Sequence, residues 1–397
     1  MESAQDSSGS LVVDNIGLLV TNDATLGDGV LGVLRDAAVV IEDGRVVAIE
    51  RSSGRVAADD RVDAGGMCVL PGFVDSHSHL VFAGDRSDEF VARMAGRPYQ
   101  AGGIRTTVDA TRRSSDADLS LLTGQRRREA FQQGITTMEM KSGYGLTPEH
   151  EARCLDVARS FTSETTFLGA HVVPVEFEGR NDDYVHYVCT EMLAAALPYS
   201  RWIDAFCEVG AFDADQSRAV LEAGRAAGLG LRLHANQLGY GPGVQLAVEL
   251  DCASADHCTY LTDADIEALS GSSTVATFLP ATDFSTRQPY PDARRAIDAG
   301  ATVAIATNCN PGSSNTTSMA FCIALAVRDM HMTIEEAIRA ATVGGAAALR
   351  RSDVGRLSVG SAADLLVLNA PSYTHFAYRP GVPLVDRAMV RGQTIFH

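Results

Sequence analysis

Short apolar segments that end in polar or ionisable residues recur through the middle of the chain. Eight such segments lie at 72–75, 136–140, 165–169, 202–207, 230–233, 253–254, 274–278 and 302–306, the sixth being the most weakly marked. Helical patterns follow most of them, most clearly at 119–133, 148–160, 215–227 and 290–299. Strands that alternate with helices are typical of a parallel sheet covered by helices. Eight such units predict an α/β fold, a (β/α)8 TIM-like barrel.

The two ends of the chain carry a different pattern of short apolar strands separated by turns. These strands lie at 18–21, 37–41, 46–49, 363–368, 387–390 and 394–396. Strand-rich ends on both sides of a long middle predict one small composite β-sandwich domain built from both chain ends. The predicted organisation is a disordered tail over 1–10, the composite domain over 11–70 and 352–397, and the catalytic barrel over 71–351.

Composition leaves this picture unchanged and excludes several classes of function. The chain is 46% hydrophobic and 21% charged, as in ordinary globular proteins. Its net charge of -17 argues against nucleic acid or an anionic membrane as a partner, because either would need a basic patch. None of the eight cysteines forms a Cys-x-x-Cys pair, which excludes a zinc ribbon. Without a signal-peptide pattern or a membrane-spanning apolar run, we expect a cytoplasmic protein.

The first apolar segment of the middle region leads into two histidines separated by one residue. Side chains at positions i and i+2 of an extended strand lie on the same side, so His77 and His79 can face one point. Two neutral imidazoles at a barrel mouth suit zinc or iron. A bare His-x-His pair is a weak signal. Here it follows the string Pro-Gly-Phe-Val-Asp at 71–75, which is far more specific.

Other ionisable or polar residues also follow predicted strands. His171 comes after the third strand, His234 after the fifth, His257 after the sixth and Asn308 after the eighth. In barrels of this type the active site collects at the carboxyl ends of the strands. The pattern therefore predicts that these side chains share one site with the histidine pair.

The string at 71–79 resembles the first-strand signature of the amidohydrolase superfamily, in which one or two metal ions activate a hydrolytic water. Further strings narrow the resemblance to the imidazolonepropionase family. They lie at 77–82 with Arg86, at 141–146 (Lys-Ser-Gly-Tyr-Gly-Leu), 167–171 (Phe-Leu-Gly-Ala-His), 234–237 (His-Ala-Asn-Gln), 254–257 (Ser-Ala-Asp-His) and 308–314 (Asn-Cys-Asn-Pro-Gly-Ser-Ser). Their order and spacing agree with that family from about residue 11 onward.

This resemblance implies a metal site and a proton-transfer group. One ion per chain, Zn²⁺ or Fe²⁺/Fe³⁺, would be held by His77, His79, His234 and the residue at position 308. His257 would shuttle a proton or donate to the developing oxyanion, because histidine donates and accepts near neutral pH. An equally weighted alternative is that His257 orients a metal ligand by hydrogen bonding without binding the metal itself.

The resemblance also implies substrate contacts. Arg86 would bind the substrate carboxylate, because a planar guanidinium pairs with two oxygens, although most arginines are solvated surface residues. Gln237 would donate to a carbonyl or orient water, but it cannot act as a base. The other implied contacts are Tyr99, Tyr144, His171, Asn310, Gly312 and Ser313. Barrel packing is the alternative for His171, and a tight turn is the alternative for the loop at 310–314.

Position 308 departs from the family pattern. The family places an aspartate there, which contacts the metal and takes the proton from the attacking water, whereas this chain reads Ala-Thr-Asn at 306–308. Asn308 can offer its carbonyl oxygen but has no useful basicity. Three explanations stay open: an engineered replacement, a natural variant in which His257 supplies the base, and a pseudoenzyme that binds imidazolone-like acids without converting them.

The function implied by the resemblance is metal-dependent hydrolysis of the cyclic amide of 4-imidazolone-5-propanoate to N-formimidoyl-L-glutamate in histidine degradation. If this reaction needs an aspartate at position 308, the activity of this chain is impaired. The partner would be this small molecule, and a homodimer is expected because family members are often dimers. Two rivals stay open. One is a heterocyclic aminohydrolase, against which Arg86 and the Tyr144 string argue, and the other is an inert binding protein.

Overall fold

The computed structural model describes residues 9–54, 56–96 and 103–397. Strands β1 to β17 are Leu11–Val20, Val33–Glu42, Arg45–Arg51, Asp60–Asp63, Cys68–Pro71, Phe73–Asp75, Ile135–Met138, Met140–Lys141, Thr165–Ala170, Trp202–Cys207, Gly230–Ala235, Ser254–His257, Val275–Phe278, Val303–Ile305, Leu365–Leu368, Val385–Val390 and Gln393–Phe396. Helices α1 to α15 are Ser87–Met94, Ile104–Arg113, Asp116–Gln132, Pro148–Arg159, Asn181–Tyr187, Leu193–Ala196, Ala214–Ala226, Gly243–Glu249, Asp263–Ser270, Pro280–Thr286, Ala293–Asp298, Met319–Asp329, Ile334–Arg339, Gly345–Ala348 and His375–Tyr378.

The middle of the chain forms a curled parallel sheet surrounded by helices. Strands β8 to β14 pair side by side, and β6 pairs with β7 in parallel. Because β7 and β8 are two halves of one strand, the barrel has eight strands. The ring closes between the last strand and the first, where the Asn308 N–H donates to the His77 carbonyl at 2.9 Å. The loops that follow the strands therefore meet at one mouth.

Strands from both ends of the chain share a second sheet. Its order is β17-β16-β15-β5-β1-β2-β3, with β4 pairing to β1, and β5 joins β15 antiparallel. One face buries an apolar cluster that includes Val13, Val39, Val69 and Leu365. The domain boundaries over 11–70, 352–397 and 71–351 stay a prediction. Residues 1–8 of the expected disordered tail lie outside the described residues.

Two barrel strands differ from their predicted extents. The sixth strand, β12, runs over Ser254–His257 rather than ending at 254, so it carries His257 at its carboxyl end. The second strand is interrupted at Glu139, between β7 and β8. The Glu139 carboxylate is buried and accepts hydrogen bonds from the Ser78 N–H at 3.0 Å and from Lys141 Nζ at 2.8 Å. The Glu139 side chain points inward and binds Ser78 and Lys141, and these contacts explain the break in the strand.

Several helices begin at residues that satisfy their own backbone donors. Capping boxes, in which the first residue and the third helical residue bond reciprocally, start α7, α9 and α13 at Asp213, Thr262 and Thr333. Each cap fixes the residue at which a loop ends and a helix begins. The caps therefore also constrain the loops around the mouth. Among the helices of the described ranges, none has the length and apolar character needed to cross a membrane.

Candidate metal centre and active site

Three histidine side chains converge beyond β6 and at the end of β11. His79 Nε2 lies 3.3 Å from His77 Nε2 and 3.4 Å from His234 Nε2. All three residues are buried. In a tetrahedral zinc site, zinc–nitrogen bonds of about 2.0–2.1 Å place the ligand nitrogens about 3.3–3.4 Å apart. The two separations that involve His79 Nε2 therefore fit ligands of one metal ion.

Two buried carboxylates determine which nitrogen of two imidazoles faces the centre. Asp256 Oδ2 lies 2.7 Å from His77 Nδ1, and Asp204 Oδ2 lies 3.0 Å from His234 Nδ1. His77 Nδ1 therefore carries the proton and donates it to Asp256, and the nearby Asp204 carboxylate favours the proton on His234 Nδ1. With the proton on Nδ1, each Nε2 keeps its lone pair. Lone pairs aimed at one point repel each other unless a cation lies between them. The donor set thus fits a metal ion better than it fits a hydrogen-bonded histidine cluster.

Burial lowers the pKa of His77, His79 and His257 and keeps these three rings neutral. Burial, followed by the positive charge of Lys141, lowers the pKa of His77 well below its ordinary value. Burial is also the main cause that lowers the pKa of His79 and of His257 well below the ordinary range. The neutral imidazole is the form that binds metal. No protonation change is therefore needed before these groups can act as ligands.

A buried lysine connects the two carboxylates behind the histidines. Lys141 Nζ lies 2.9 Å from Asp204 Oδ2 and 3.8 Å from Asp256 Oδ2. Its third carboxylate neighbour is Glu139, whose Oε1 lies 2.8 Å away. Burial alone would lower the pKa of Lys141, but Asp204 and Glu139 outweigh burial and raise that pKa. Lys141 is therefore charged, and it stabilises the carboxylates of Asp204 and Glu139, whereas the buried Arg232, 3.4 Å from Asp256 Oδ2, is the closer cation to Asp256.

Replacing Lys141 with methionine is expected to destabilise the metal-free protein by about 3–5 kcal/mol, because it leaves buried carboxylates without their cation. Thermal and urea unfolding of the metal-free protein measure this loss. The matched control is Arg218→Met, which breaks a largely exposed pair with Glu249 and should lower the free energy of unfolding far less, because solvent screens that pair. Equal losses in the two variants would show that the buried lysine does not hold the network together.

Two further side chains reach the same centre. Ring nitrogens of His77, His234 and His257 can lie within 4.8 Å of one another. Asn308 donates from Nδ2 to Thr282 Oγ1 at 2.8 Å. Within the described ranges, neither His257 Nδ1 nor Asn308 Oδ1 has a hydrogen-bond partner, although both atoms are buried. Both groups are therefore available to a metal ion or a substrate.

The predicted substrate contacts other than Gly312 and Tyr99 line one small pocket above the histidines. The residues that line it are His79, Arg86, Ile104, Tyr144, His171, Phe206, His234, Gln237, His257, Asn308, Asn310 and Ser313. A larger cavity of about 560 Å³ lies beside it, lined mainly by residues that follow β9, β10 and β11. That cavity contains none of the predicted site residues. The chemistry therefore belongs to the smaller pocket.

Arg86 is oriented by a neighbouring glutamate. Its Nε and Nη2 atoms donate to Glu89 Oε1 and Oε2 at 2.9 and 2.7 Å. Nη1 points toward Gly312, where an added Cβ would lie only 2.2 Å from it. Only glycine fits at position 312 with Arg86 in this orientation. Glu89 therefore holds the guanidinium of Arg86 in this direction.

His171 and Tyr144 form an aromatic wall of the pocket. Burial, followed by the nearby His234, lowers the pKa of His171 to about 3, so its ring is neutral. His171 Nδ1 donates to the Gly143 carbonyl at 2.8 Å, which leaves Nε2 as an acceptor. The ring stacks on His79 with centroids 5.5 Å apart, and the Tyr144 ring lies 5.4 Å away. A flat heterocycle matches such a wall.

Comparison with known proteins decides the family. Residues 68–395 match the amidohydrolase family. An imidazolonepropionase from Mycolicibacterium smegmatis is 63% identical over 387 residues, which cover 98% of each chain. Another from Streptomyces coelicolor is 64% identical over 386 residues, 97% of this chain and 99% of that protein. This chain belongs to the imidazolonepropionase family.

More distant solved structures share the fold of this imidazolonepropionase family member. Atrazine chlorohydrolase from Arthrobacter aurescens, complexed with zinc, has a TM-score of 0.71 at 18% identity, covering 98% of this chain and 95% of that chain. Guanine deaminase from C. acetobutylicum has a TM-score of 0.71 at 14% identity, covering 98% of this chain and all of that chain. The predicted fold class, a TIM-like barrel with a small β-domain built from both chain ends, is confirmed.

The structure gathers most of the residues that the imidazolonepropionase resemblance implies, but not all can be placed. Tyr99 lies outside the described residues. Sequence patterns did not reveal Asp204, Asp256, Ile104 or Phe206. For the two aspartates a signal existed, because a carboxylate inside an apolar barrel strand needs a buried partner. No signal distinguished Ile104 or Phe206 from ordinary core residues.

Proposed function

We propose that this chain hydrolyses the cyclic amide of 4-imidazolone-5-propanoate to N-formimidoyl-L-glutamate in histidine degradation. The observation that best supports this proposal is that Arg86 and converging imidazole nitrogens share one pocket in a chain with imidazolonepropionase relatives. The arginine matches the propionate, and the imidazoles match a metal that acts on the amide. Water adds to the ring carbonyl carbon, the bond from that carbon to the ring nitrogen breaks, and a proton goes to the nitrogen.

His77, His79 and His234 would hold one ion, zinc or iron, through their Nε2 atoms, with the Asn308 carbonyl oxygen as a further ligand. Such an ion polarises a carbonyl and lowers the pKa of water. Three imidazoles and an amide carry no negative charge. The compensating charge comes from the carboxylates of Asp204 and Asp256, one on each of two histidines.

We assign proton transfer to His257. Its ring lies 5.4 Å from the ring of His234 at the base of the pocket. The amides of Asn308 and Gln237 cannot accept a proton near neutral pH. His257 would therefore take the proton of the attacking water and pass it to the ring nitrogen that leaves.

The loop after β14 would form a rigid wall for the substrate. Asn310 Oδ1 accepts from the N–H groups of Gly312 and Ser313 at 2.9 and 2.8 Å. Asn310 Nδ2 donates to the Asn308 carbonyl at 2.7 Å. These bonds form a tight turn. The same turn can also contact a substrate, so the two interpretations of the 310–314 loop are compatible.

Replacing Arg86 with glutamine is expected to raise KM for 4-imidazolone-5-propanoate about 10- to 100-fold with a smaller change in kcat, because it removes a charge-assisted contact with the carboxylate. Steady-state kinetics measure the split. The control is Arg105→Gln, since Arg105 is half-exposed and lies on the rim of the larger cavity. An unchanged KM in the Arg86 variant would show that Arg86 does not bind the substrate.

The assignment of substrate is tested by supplying the metal-loaded chain with 4-imidazolone-5-propanoate and, separately, with heterocyclic amines. We expect loss of imidazolone absorption with matching formation of N-formimidoyl-L-glutamate, and no ammonia from the amines. Ammonia release without ring opening would replace this proposal with an aminohydrolase activity.

The wider setting of the chain follows the family. The substrate is a small molecule, and the net charge of -17 gives no basis for binding nucleic acid. Homodimeric assembly and a cytoplasmic location stay predictions.

A further inference from the structure

The backbone of Asn308 is fixed at three points. Its N–H donates to the His77 carbonyl at 2.9 Å, and its carbonyl accepts from Asn310 Nδ2 at 2.7 Å. Its φ of 50° lies in the left-handed region, which asparagine and aspartate tolerate better than other side chains. These features hold the backbone of Asn308 in place, whereas the rotation of its side-chain amide depends on the contacts of the side chain itself.

That rotation decides what the pocket receives, because the two ends of an amide are chemically opposite. The oxygen has lone pairs that can bind a cation, whereas the nitrogen presents two N–H donors and has no lone pair for a metal. An aspartate at this position would present an oxygen in either orientation. Asn308 therefore needs an orienting contact that the family's aspartate does not need.

Thr282 supplies that contact. Its Oγ1 accepts from Asn308 Nδ2 at 2.8 Å, which turns the unpartnered and buried Oδ1 the other way. Thr282 is itself immobile: it is 1% exposed, its N–H donates to the Leu279 carbonyl at 2.9 Å, and its carbonyl accepts from Thr286 Oγ1 at 2.7 Å. The threonine lies in the first turn of α10, directly after the seventh barrel strand.

We propose that Thr282 is a positioning residue that holds the Asn308 amide with its oxygen toward the metal centre, and so makes a neutral amide usable where the family has a carboxylate. The inference rests on the proposed function only in taking Asn308 as a metal ligand. It predicts that the effect of Thr282 depends on which residue occupies position 308.

A double-mutant cycle on metal affinity tests this dependence without any turnover. Competition with a chromophoric chelator gives the Zn²⁺ dissociation constant of the metal-free chain, of Thr282→Val, of Asn308→Asp and of the double variant. With Asn308 present, Thr282→Val should weaken Zn²⁺ binding about 10- to 100-fold, as expected for loss of a group that orients a ligand. With aspartate at 308 the loss should be much smaller, giving a coupling of about tenfold or more.

Thr282→Ser is the matched control, because it keeps the hydroxyl and should keep the affinity of the unchanged chain. Visible absorption of the Co²⁺-loaded protein gives a second readout, since it responds to the number and kind of ligands. It should change in Thr282→Val only when Asn308 is present. Equal losses of affinity in both backgrounds, or no loss with Asn308, would overturn the proposal. Failure of ring opening with the coupling intact would instead refute the substrate assignment alone.

Discussion

Replacing Asn308 with aspartate is expected to raise kcat for 4-imidazolone-5-propanoate, because a carboxylate would take the proton more readily than the buried His257, whose pKa is lowered by burial. The increase should be at most about 10²–10⁴-fold, the contribution of a positioned general base where none is present. Asn308 lies in the pocket beside His79 and His234, and asparagine cannot take a proton from water. Aspartate tolerates the same left-handed backbone conformation, so the loop should be unchanged. The measurement is kcat at saturating substrate, divided by the metal content of each preparation.

Correction for metal content matters because a carboxylate also attracts a divalent cation more strongly than an amide does. Asn181→Asp is the control: it adds the same charge at the exposed start of α5, beside the larger cavity, and should leave kcat unchanged. A kcat per bound metal that stays the same in Asn308→Asp would mean that position 308 is not where the proton is taken. His257 would then be the sufficient base in both chains.

Replacing His257 with alanine is expected to lower kcat by about 10²–10⁴-fold while the bound metal is retained. Among the described residues that line the pocket, His79 and His234 are assigned to the metal, and His171 is assigned to the aromatic wall, where its ring stacks on His79. His257 is therefore the remaining proton acceptor in a chain with Asn308. Kinetics with metal analysis of the same samples measure both quantities. In the Asn308→Asp background the loss should be smaller, because the aspartate shares the task.

The His257 experiment also distinguishes a base from a ligand, since its ring nitrogens lie as close to His77 and His234 as a metal site requires. If activity falls only in proportion to metal lost, His257 is a ligand and the proton goes elsewhere. His186→Ala, at an exposed position on α5, is the control for losing a histidine and should change neither quantity.

The barrel could be predicted because its strands are buried on both faces and read as short apolar runs. The break at Glu139 could not, because it depends on Lys141 and on the Ser78 N–H, which only the closed barrel brings near. The sixth strand was underestimated for a related reason. Its last residues, Asp256 and His257, look like loop residues until their buried partners are in place.

The sequence pointed only to those candidate site residues that can be recognised from their own chemistry and their position at the end of a strand. His77, His79 and His234 stand at strand ends, where barrel enzymes place reactive groups. Thr282 and Lys141 act by contacting other side chains far away in sequence. Lys141 begins the string at 141–146 that carries the family resemblance, but the string does not indicate what the lysine does, and nothing near Thr282 marks it. Glu89 is a similar case: its pairing orients the guanidinium of Arg86, although a Glu three residues after an Arg is common on any helix.

The most direct test of the central claim is to titrate Zn²⁺ or Fe²⁺ into the metal-free protein and to follow ring opening of 4-imidazolone-5-propanoate. The account predicts that activity rises from near zero in proportion to bound metal and levels off at one ion per chain. It predicts that His234→Ala binds metal weakly and stays inactive at the same metal concentrations. Full activity in the metal-free protein, or one tightly bound ion with no ring opening, would contradict the account.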